Sequence, residues 1–152
     1  MRAIAKGLGS VVVAAAVAGA VAFAQGNLAT LFSVTPAEMK FVSRPGRPGS
    51  ESAVLVGDSG KAGIYVMHNR IPANTTIEPH SHSEVWRVGT VLSGTLYYGY
   101  GDTFDESKLK ALGLGSVIVE PKDQPHFAMT KDEPVTIQLV AEGPTATNPV
   151  RK

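Results

Sequence analysis

Short apolar segments separated by Gly, Pro, Asn and Asp occupy the chain from residue 53 to residue 140. Turn-forming residues recur about every ten positions, which is typical of an all-β sandwich or barrel. The predicted strands are 53–56, 63–71, 75–79, 85–92, 95–100, 116–120, 125–129 and 134–140. One short helix is predicted among them, over residues 105–112, and it is too short to form a layer of its own.

Ser93 and Gly94 separate two of these strands, and a two-residue hairpin turn is predicted there. Opposed residues in a hairpin share a face, and faces alternate along each strand. One face then carries Arg87, Gly89, Val91, Leu96, Tyr98 and Tyr100. The other carries Trp86, Val88, Thr90, Leu92, Thr95 and Tyr97. This second face has few polar groups, so we expect it to pack on an opposing sheet or to form a homodimer contact.

The N-terminal residues follow a different pattern. Arg2 and Lys6 accompany an Ala- and Val-rich apolar run over residues 8–21, which ends in Ala-Phe-Ala at 22–24. A positive start, an apolar run and a small-x-small ending are typical of a cleaved signal peptide. A permanent membrane anchor is the competing interpretation, but the run is short and interrupted by glycine and serine. We expect residues 1–24 to be removed, the protein to be periplasmic or secreted, and membrane contact to be transient.

The rest of the chain has the length of one domain. Residues 25–52 are expected to be a leader and a Pro/Gly loop, 53–142 the β-barrel, and 143–152 a flexible tail. The formal net charge is +1 and the basic residues are scattered, so the sequence does not indicate a nucleic-acid partner. The chain has no cysteine, so no disulfide is expected.

His80 and His82 are the sharpest candidates for chemistry. On a strand, residues i and i+2 point the same way about 6–7 Å apart, so both imidazoles can bind one metal ion. Two solvated histidines in a polar loop are the alternative. His126 begins a later predicted strand, after a turn, and by itself it favours a structural role. His68 lies in the middle of a strand and is also assigned a structural role.

Together these histidines and their surroundings resemble the cupin superfamily. Its first motif reads G, five residues, H-x-H, three or four residues, E, six residues, G. His80, His82 and Gly94 match this register, and Asn74 takes the place of the opening glycine. Asparagine is the next best residue where a positive φ is required.

The second cupin motif reads G, five residues, P-x-G, two residues, H, three residues, N. Gly115, Pro121 and His126 match it, whereas Asp123 and Thr130 replace the later glycine and the asparagine. The two motifs occur in the family's order, and the resemblance extends over residues 53–140.

The resemblance implies a double-stranded β-helix, or jelly-roll barrel, with a divalent transition metal in its mouth: Fe, Mn, Ni, Cu or Zn. His80, His82 and His126 would hold the metal. The activity it favours is that of a dioxygenase-like oxidoreductase acting on a small anionic organic molecule. Two alternatives are open. One is a non-catalytic exported protein that binds a metal or ligand, and the other is a metal-free, isomerase-like cupin in which His126 or Tyr98 transfers protons.

One position departs from the family's pattern, because Arg87 stands where the first motif has its metal-binding glutamate. A guanidinium has no lone pair to donate to a metal. The site either uses three histidines, with Arg87 and Tyr98 binding an anionic substrate, or takes Glu84 as its carboxylate, or has lost the metal. Glu84 lies about 13 Å from His80 along a straight strand, so its use requires the chain to bend after His82.

The signal-peptide interpretation predicts the N-terminus of the mature protein. Mass spectrometry of protein from its native host should find Gln25 at or near the N-terminus, because cleavage follows the Ala-Phe-Ala sequence at 22–24. An intact Met1 on protein from the cytoplasmic fraction would contradict it.

Overall fold

The computed structural model describes residues 31–150, and the predicted signal peptide lies outside them. The described residues form eleven strands and one short 3-10 helix, Glu106–Lys108. The strands are β1 Val42–Ser43, β2 Glu51–Val56, β3 Gly63–Ile71, β4 Thr76–His82, β5 Trp86–Ser93, β6 Leu96–Tyr100, β7 Lys110–Leu112, β8 Val117–Pro121, β9 His126–Met129, β10 Val135–Gly143 and β11 Thr147–Pro149. Between residues 31 and 150, no helix has the length and apolar character needed to cross a membrane.

The strands form two antiparallel sheets that face each other. One has six strands in the order β1-β2-β3-β10-β5-β8, and the other has five in the order β11-β4-β9-β6-β7. Residues alternate between buried and more exposed along β5, β8 and β10. The core lies between the two inner faces, where Val91, Leu96, Ile118 and Leu139 pack together. The predicted all-β fold is confirmed, and each predicted strand is present with small shifts at its ends.

The predicted hairpin at Ser93 and Gly94 is wrong. β5 pairs with β10 and β8 in one sheet, whereas β6 pairs with β9 and β7 in the other, so the chain crosses between sheets at this turn. The predicted grouping of Arg87 and Tyr98 on one face nevertheless holds, because both side chains are buried in the interior. Alternation is a property of each strand alone, and the inner faces of both sheets border the same interior.

The predicted helix over 105–112 is also corrected. Only the 3-10 helix Glu106–Lys108 forms, with the Asp105 side chain accepting from the Ser107 N–H, and β7 follows it. β7 pairs with β6 along its whole length. A helix this short is marginal by itself, so the backbone hydrogen bonds offered by the edge of β6 determine the outcome.

Both predicted flexible ends contribute strands to the barrel. The leader contains β1 and the start of β2, and the predicted tail contains β11. β11 pairs with β4 so that Thr147 lies opposite His82 and Pro149 opposite His80. Without β11, the edge of β4 would expose unpaired backbone groups beside the first histidine motif.

The motif positions that lack glycine have the backbone that glycine would supply. Asn74 and Asp123 have φ values of 53° and 57°, and Gly94 and Gly115 have 72° and 81°. The prediction of a positive φ at Asn74 is thus confirmed. Both motifs keep their turns despite the two substitutions.

Gly94 is the position where added bulk should be most damaging to the crossover. A Cβ there would clash with the Pro134 carbonyl oxygen, on a residue with positive φ. Gly94→Ala should lower the free energy of unfolding by about 2 kcal/mol, measured by urea denaturation. Gly113→Ala is the control, because a Cβ at Gly113 meets no atom within 4 Å. Equal stability of the two variants would contradict this reading of the turn.

Candidate metal centre

The fold brings His80, His82 and His126 together on the inner face of the five-stranded sheet. His80 and His126 are directly paired across β4 and β9, and His82 follows on the same side of β4. The three ring centroids lie 4.5–5.2 Å apart. One nitrogen from each ring lies within 4.8 Å of the others, and all three residues are buried. His68 lies apart from this cluster on β3, where its Nε2 bonds to Gln138.

Backbone carbonyls fix the tautomer of each ring. The Nδ1 atoms lie 2.7 Å from the Glu78 oxygen for His80, 3.1 Å from the Ala146 oxygen for His82, and 3.1 Å from the Gln124 oxygen for His126. A carbonyl oxygen only accepts, so each Nδ1 carries the proton and donates. Each Nε2 is therefore left with a lone pair, which is the arrangement of histidines that bind metals.

Burial keeps the three imidazoles neutral. It lowers the pKa of His80 to about 3 and that of His82 to about 2, with Arg87 adding to the effect at His82. It also lowers the pKa of His126, although Glu120 opposes this. A histidine must be neutral to bind a metal, so these rings need no deprotonation at neutral pH.

The Nε2 lone pairs can bind a cation. His82 Nε2 is buried and has no hydrogen-bond partner among residues 31–150. His80 Nε2 accepts at 3.3 Å from Arg47 Nη2, which is itself a cation. Three lone pairs that converge in a buried space, one of them unpartnered, fit a divalent transition metal.

Glu84 does not join the histidine cluster in the described part of the chain. Its Oε1 accepts a 2.7 Å hydrogen bond from the Tyr65 hydroxyl and lies 3.8 Å from Arg87 Nη1. Burial acts to raise its pKa, but hydrogen bonds from Thr145 and Tyr65, together with Arg87, bring the pKa below its usual value. The geometry makes Glu84 a buried partner of Tyr65 and Arg87.

Arg87 points into the barrel, as the sequence predicted, and there it is held by carboxylates. Its Nε donates to Glu120 Oε2 at 2.8 Å, and its side chain also approaches Glu84. Tyr98 donates to Glu120 Oε1 at 3.0 Å, and its ring stacks on His126 with centroids 5.5 Å apart. Arg87 and Tyr98 therefore converge on Glu120.

Sequence reasoning missed Glu120. It lies on β8 directly opposite Arg87 and is 6% exposed. The alternation of β8 carries a usable signal, because Ile118 and Glu120 both lie on its buried side. The sequence alone does not give the register of β5 with β8, which places Glu120 opposite Arg87.

Sequence reasoning also missed two arginines in the loop between β1 and β2. Arg44 and Arg47 are half-buried above the histidines, and neither forms an ion pair with any residue from 31 to 150. Burial lowers the pKa of Arg44 to about 10, with Arg47 and Arg87 adding to the effect. Burial and Arg87 also lower the pKa of Arg47, although Glu120 opposes this. Both arginines line a cavity of about 580 Å³ that reaches His80.

Comparison with known protein sequences finds an isomerase and a germin-like protein as relatives. No family model matches the chain. It is 32% identical over 103 residues to the H2HPP isomerase of Bacillus subtilis, which covers 65% of this chain and 42% of the relative. It is 33% identical over 85 residues to a germin-like protein of Oryza sativa subsp. japonica, covering 53% of the chain and 35% of the relative. The chain thus spans less than half the length of either relative.

Solved structures agree on the fold. The polyketide cyclase RemF of Streptomyces resistomycificus has a TM-score of 0.67 and 20% identity, covering 81% of this chain and 87% of its own. A double-stranded β-helix protein of Klebsiella pneumoniae has a TM-score of 0.55 and 22% identity, covering 72% and 90%. The chain has the double-stranded β-helix fold of the cupin superfamily, with a buried histidine triad typical of a metal site.

The shared centre predicts how the histidines respond to substitution. Replacing His80, His82 or His126 with Ala should each reduce bound metal in the purified protein by at least tenfold, because one of three donors is lost. Elemental analysis by mass spectrometry measures this. His68→Ala is the control and should keep its metal. Four variants that all retain wild-type metal content would contradict a shared site.

Proposed function

We propose that this protein is an exported, metal-dependent cupin enzyme that acts on a small anionic organic molecule, with a dioxygenase-like oxidation as its reaction. The observation that carries the proposal is the convergence of three histidine lone pairs beneath two arginines that lack carboxylate partners between residues 31 and 150. Export rests on the sequence of residues 1–24 alone.

In this proposal His80, His82 and His126 hold the metal. When bound, a divalent transition metal supplies Lewis-acid or redox activation of the substrate or of O₂. The carbonyls that accept from the three Nδ1 atoms orient the rings. The rings therefore lose little further conformational freedom when the metal binds. The burial of the triad excludes bulk water from its surroundings.

The substrate anion is assigned to Arg44 and Arg47. The sequence favours Arg87 for this role, but its Nε donates to Glu120 and its Nη1 faces Glu84, so two carboxylates of the protein already neutralise its charge. Arg47 lies 3.3 Å from His80 Nε2, so a carboxylate held by its guanidinium would lie beside the metal position. An arginine fork matches a carboxylate with two parallel hydrogen bonds.

Tyr98 keeps its proton in this proposal and donates it to Glu120. Burial, Glu120 and Tyr100 raise its pKa far above the usual value, so its hydroxyl stays protonated at neutral pH. This argues against Tyr98 as the proton acceptor of a metal-free isomerase. His126, which is neutral with an open Nε2, still suits that role.

An isomerase is the second candidate, favoured by the relative named H2HPP isomerase. The other matched folds include salicylate 1,2-dioxygenase and DMSP lyases, so the fold by itself does not select a reaction. Metal analysis of the purified wild-type protein separates the candidates. One equivalent of a redox-active metal, with oxygen uptake on supply of a carboxylate substrate, supports the oxygenase. Absence of bound metal, with His126-dependent proton exchange, supports the isomerase.

The arginine assignment predicts how binding of organic anions changes. Arg44→Gln with Arg47→Gln should weaken binding of small mono- and dicarboxylates at least tenfold, because both guanidinium contacts are removed. Thermal-shift screening of the wild type selects the carboxylate probe, and calorimetry measures its affinity.

The matched control for this experiment is Arg70→Gln. Arg70 is a surface arginine that faces Glu51 and Phe41 and does not line the cavity. Its substitution should leave carboxylate affinity within about threefold of wild type. Unchanged affinity in the double variant would contradict the assignment to Arg44 and Arg47.

A further inference from the structure

The carboxylate that the first cupin motif lacks in this chain is present on the neighbouring strand. Arg87 occupies the motif's glutamate position on β5, and its direct partner across the ladder is Glu120 on β8. Directly paired residues point to the same side of a sheet, so both side chains enter the barrel. Both are buried, at 8% and 6% exposure.

Glu120 lies at ligand spacing from two of the three histidines, His126 and His82. Its Oε1 is 3.5 Å from His126 Nε2, and its Oε2 is 3.9 Å from His82 Nε2. Donors bound about 2.0–2.2 Å from one tetrahedral metal are about 3.4 Å from each other. The carboxylate is therefore at donor spacing from two of the three lone pairs.

Two neighbours hold this carboxylate and leave it able to bind a cation. Arg87 Nε donates to Oε2 at 2.8 Å, and Tyr98 donates to Oε1 at 3.0 Å. A carboxylate offers about four lone-pair directions, so one hydrogen bond on each oxygen leaves capacity for a metal. The arrangement also explains how a permanent cation is accommodated next to a metal site, because Glu120 lies between Arg87 and the histidines.

We propose that Glu120 is the fourth protein ligand of the metal centre, and that Arg87 is the positioning residue that fixes it. The metal-binding carboxylate has in effect exchanged places with the residue opposite it, from β5 to β8. This inference rests on the proposed metal centre at His80, His82 and His126.

Cobalt(II) titration of the metal-free protein tests the proposal. Wild type should bind one equivalent, with the intense visible absorption of a low-coordinate site. Glu120→Gln is nearly isosteric and keeps a hydrogen-bonding side chain, so its fold is checked by thermal melting. It should bind cobalt at least tenfold more weakly, and the absorption band should shift because an oxygen donor has been lost.

Glu84→Gln is the matched control. Glu84 is a second buried carboxylate that also approaches Arg87, but among residues 31–150 it is Glu120, and not Glu84, that pairs with the histidine nitrogens. Its affinity for cobalt should stay within about threefold of wild type, and the spectrum should not change. If Glu120 acted only by holding Arg87 in place, Glu120→Gln would weaken cobalt binding without shifting the absorption band. That result would overturn the proposal.

A charge exchange provides a second, independent variant. Arg87→Glu combined with Glu120→Arg returns the carboxylate to the motif position and keeps the ion pair across the same ladder. Cobalt affinity should recover to within tenfold of wild type, and an exchange variant that folds but binds no better than Glu120→Gln would count against the proposal. If wild type binds no cobalt, the metal centre and this inference both fail. If wild type and Glu120→Gln bind equally, only the ligand role of Glu120 fails.

Discussion

The donation of a proton from each histidine Nδ1 to a backbone carbonyl is the interaction on which the site depends. These three hydrogen bonds come from different parts of the chain, at Glu78, Gln124 and Ala146. They set the tautomer, the ring orientation and the direction of every Nε2 lone pair. Because carbonyl positions are set by strand pairing, the chemistry of the centre is determined by the backbone of the barrel.

The charged side chains around the three histidines differ in whether they are paired with carboxylates. Arg87 lies between Glu84 and Glu120 in a space that excludes water, and separating such a buried pair by removing one partner costs about 3–5 kcal/mol. The charge of Arg87 is thus compensated within the protein. Arg44 and Arg47 lie nearer the opening without carboxylate partners in the region from 31 to 150, which leaves them for a ligand.

Local sequence signals predicted much of this structure. Apolar segments between turn-forming residues located the strands, and alternation placed Arg87 and Tyr98 on one face. The spacing of His80 and His82 placed two donors on one face. The positive φ at Asn74 followed from the residue type at a turn. Each of these depends on a few neighbouring residues, which a sequence presents directly.

The features that escaped prediction depend on pairing between distant segments. The crossing at Gly94 depends on the pairing of β5 with β10 and of β6 with β9. The position of Glu120 depends on the register of β5 with β8. The loop with Arg44 and Arg47 contains no periodic signal, and its proximity to His80 arises only in the closed barrel. Strand alternation predicts which side chains share a face, whereas the pairing partner of each strand depends on the whole fold.

The pairing of β11 with β4 has a consequence for the order in which the centre is assembled. His82 obtains its acceptor from Ala146, a separation of 64 residues, so its ring is fixed only after the last described strand has joined the edge of the sheet. Contacts of such long sequence separation are costly in chain entropy and tend to form late in folding. Without that strand, the His82 ring lacks the hydrogen bond that orients it. A complete set of three oriented donors therefore requires the barrel to be closed by its last described strand.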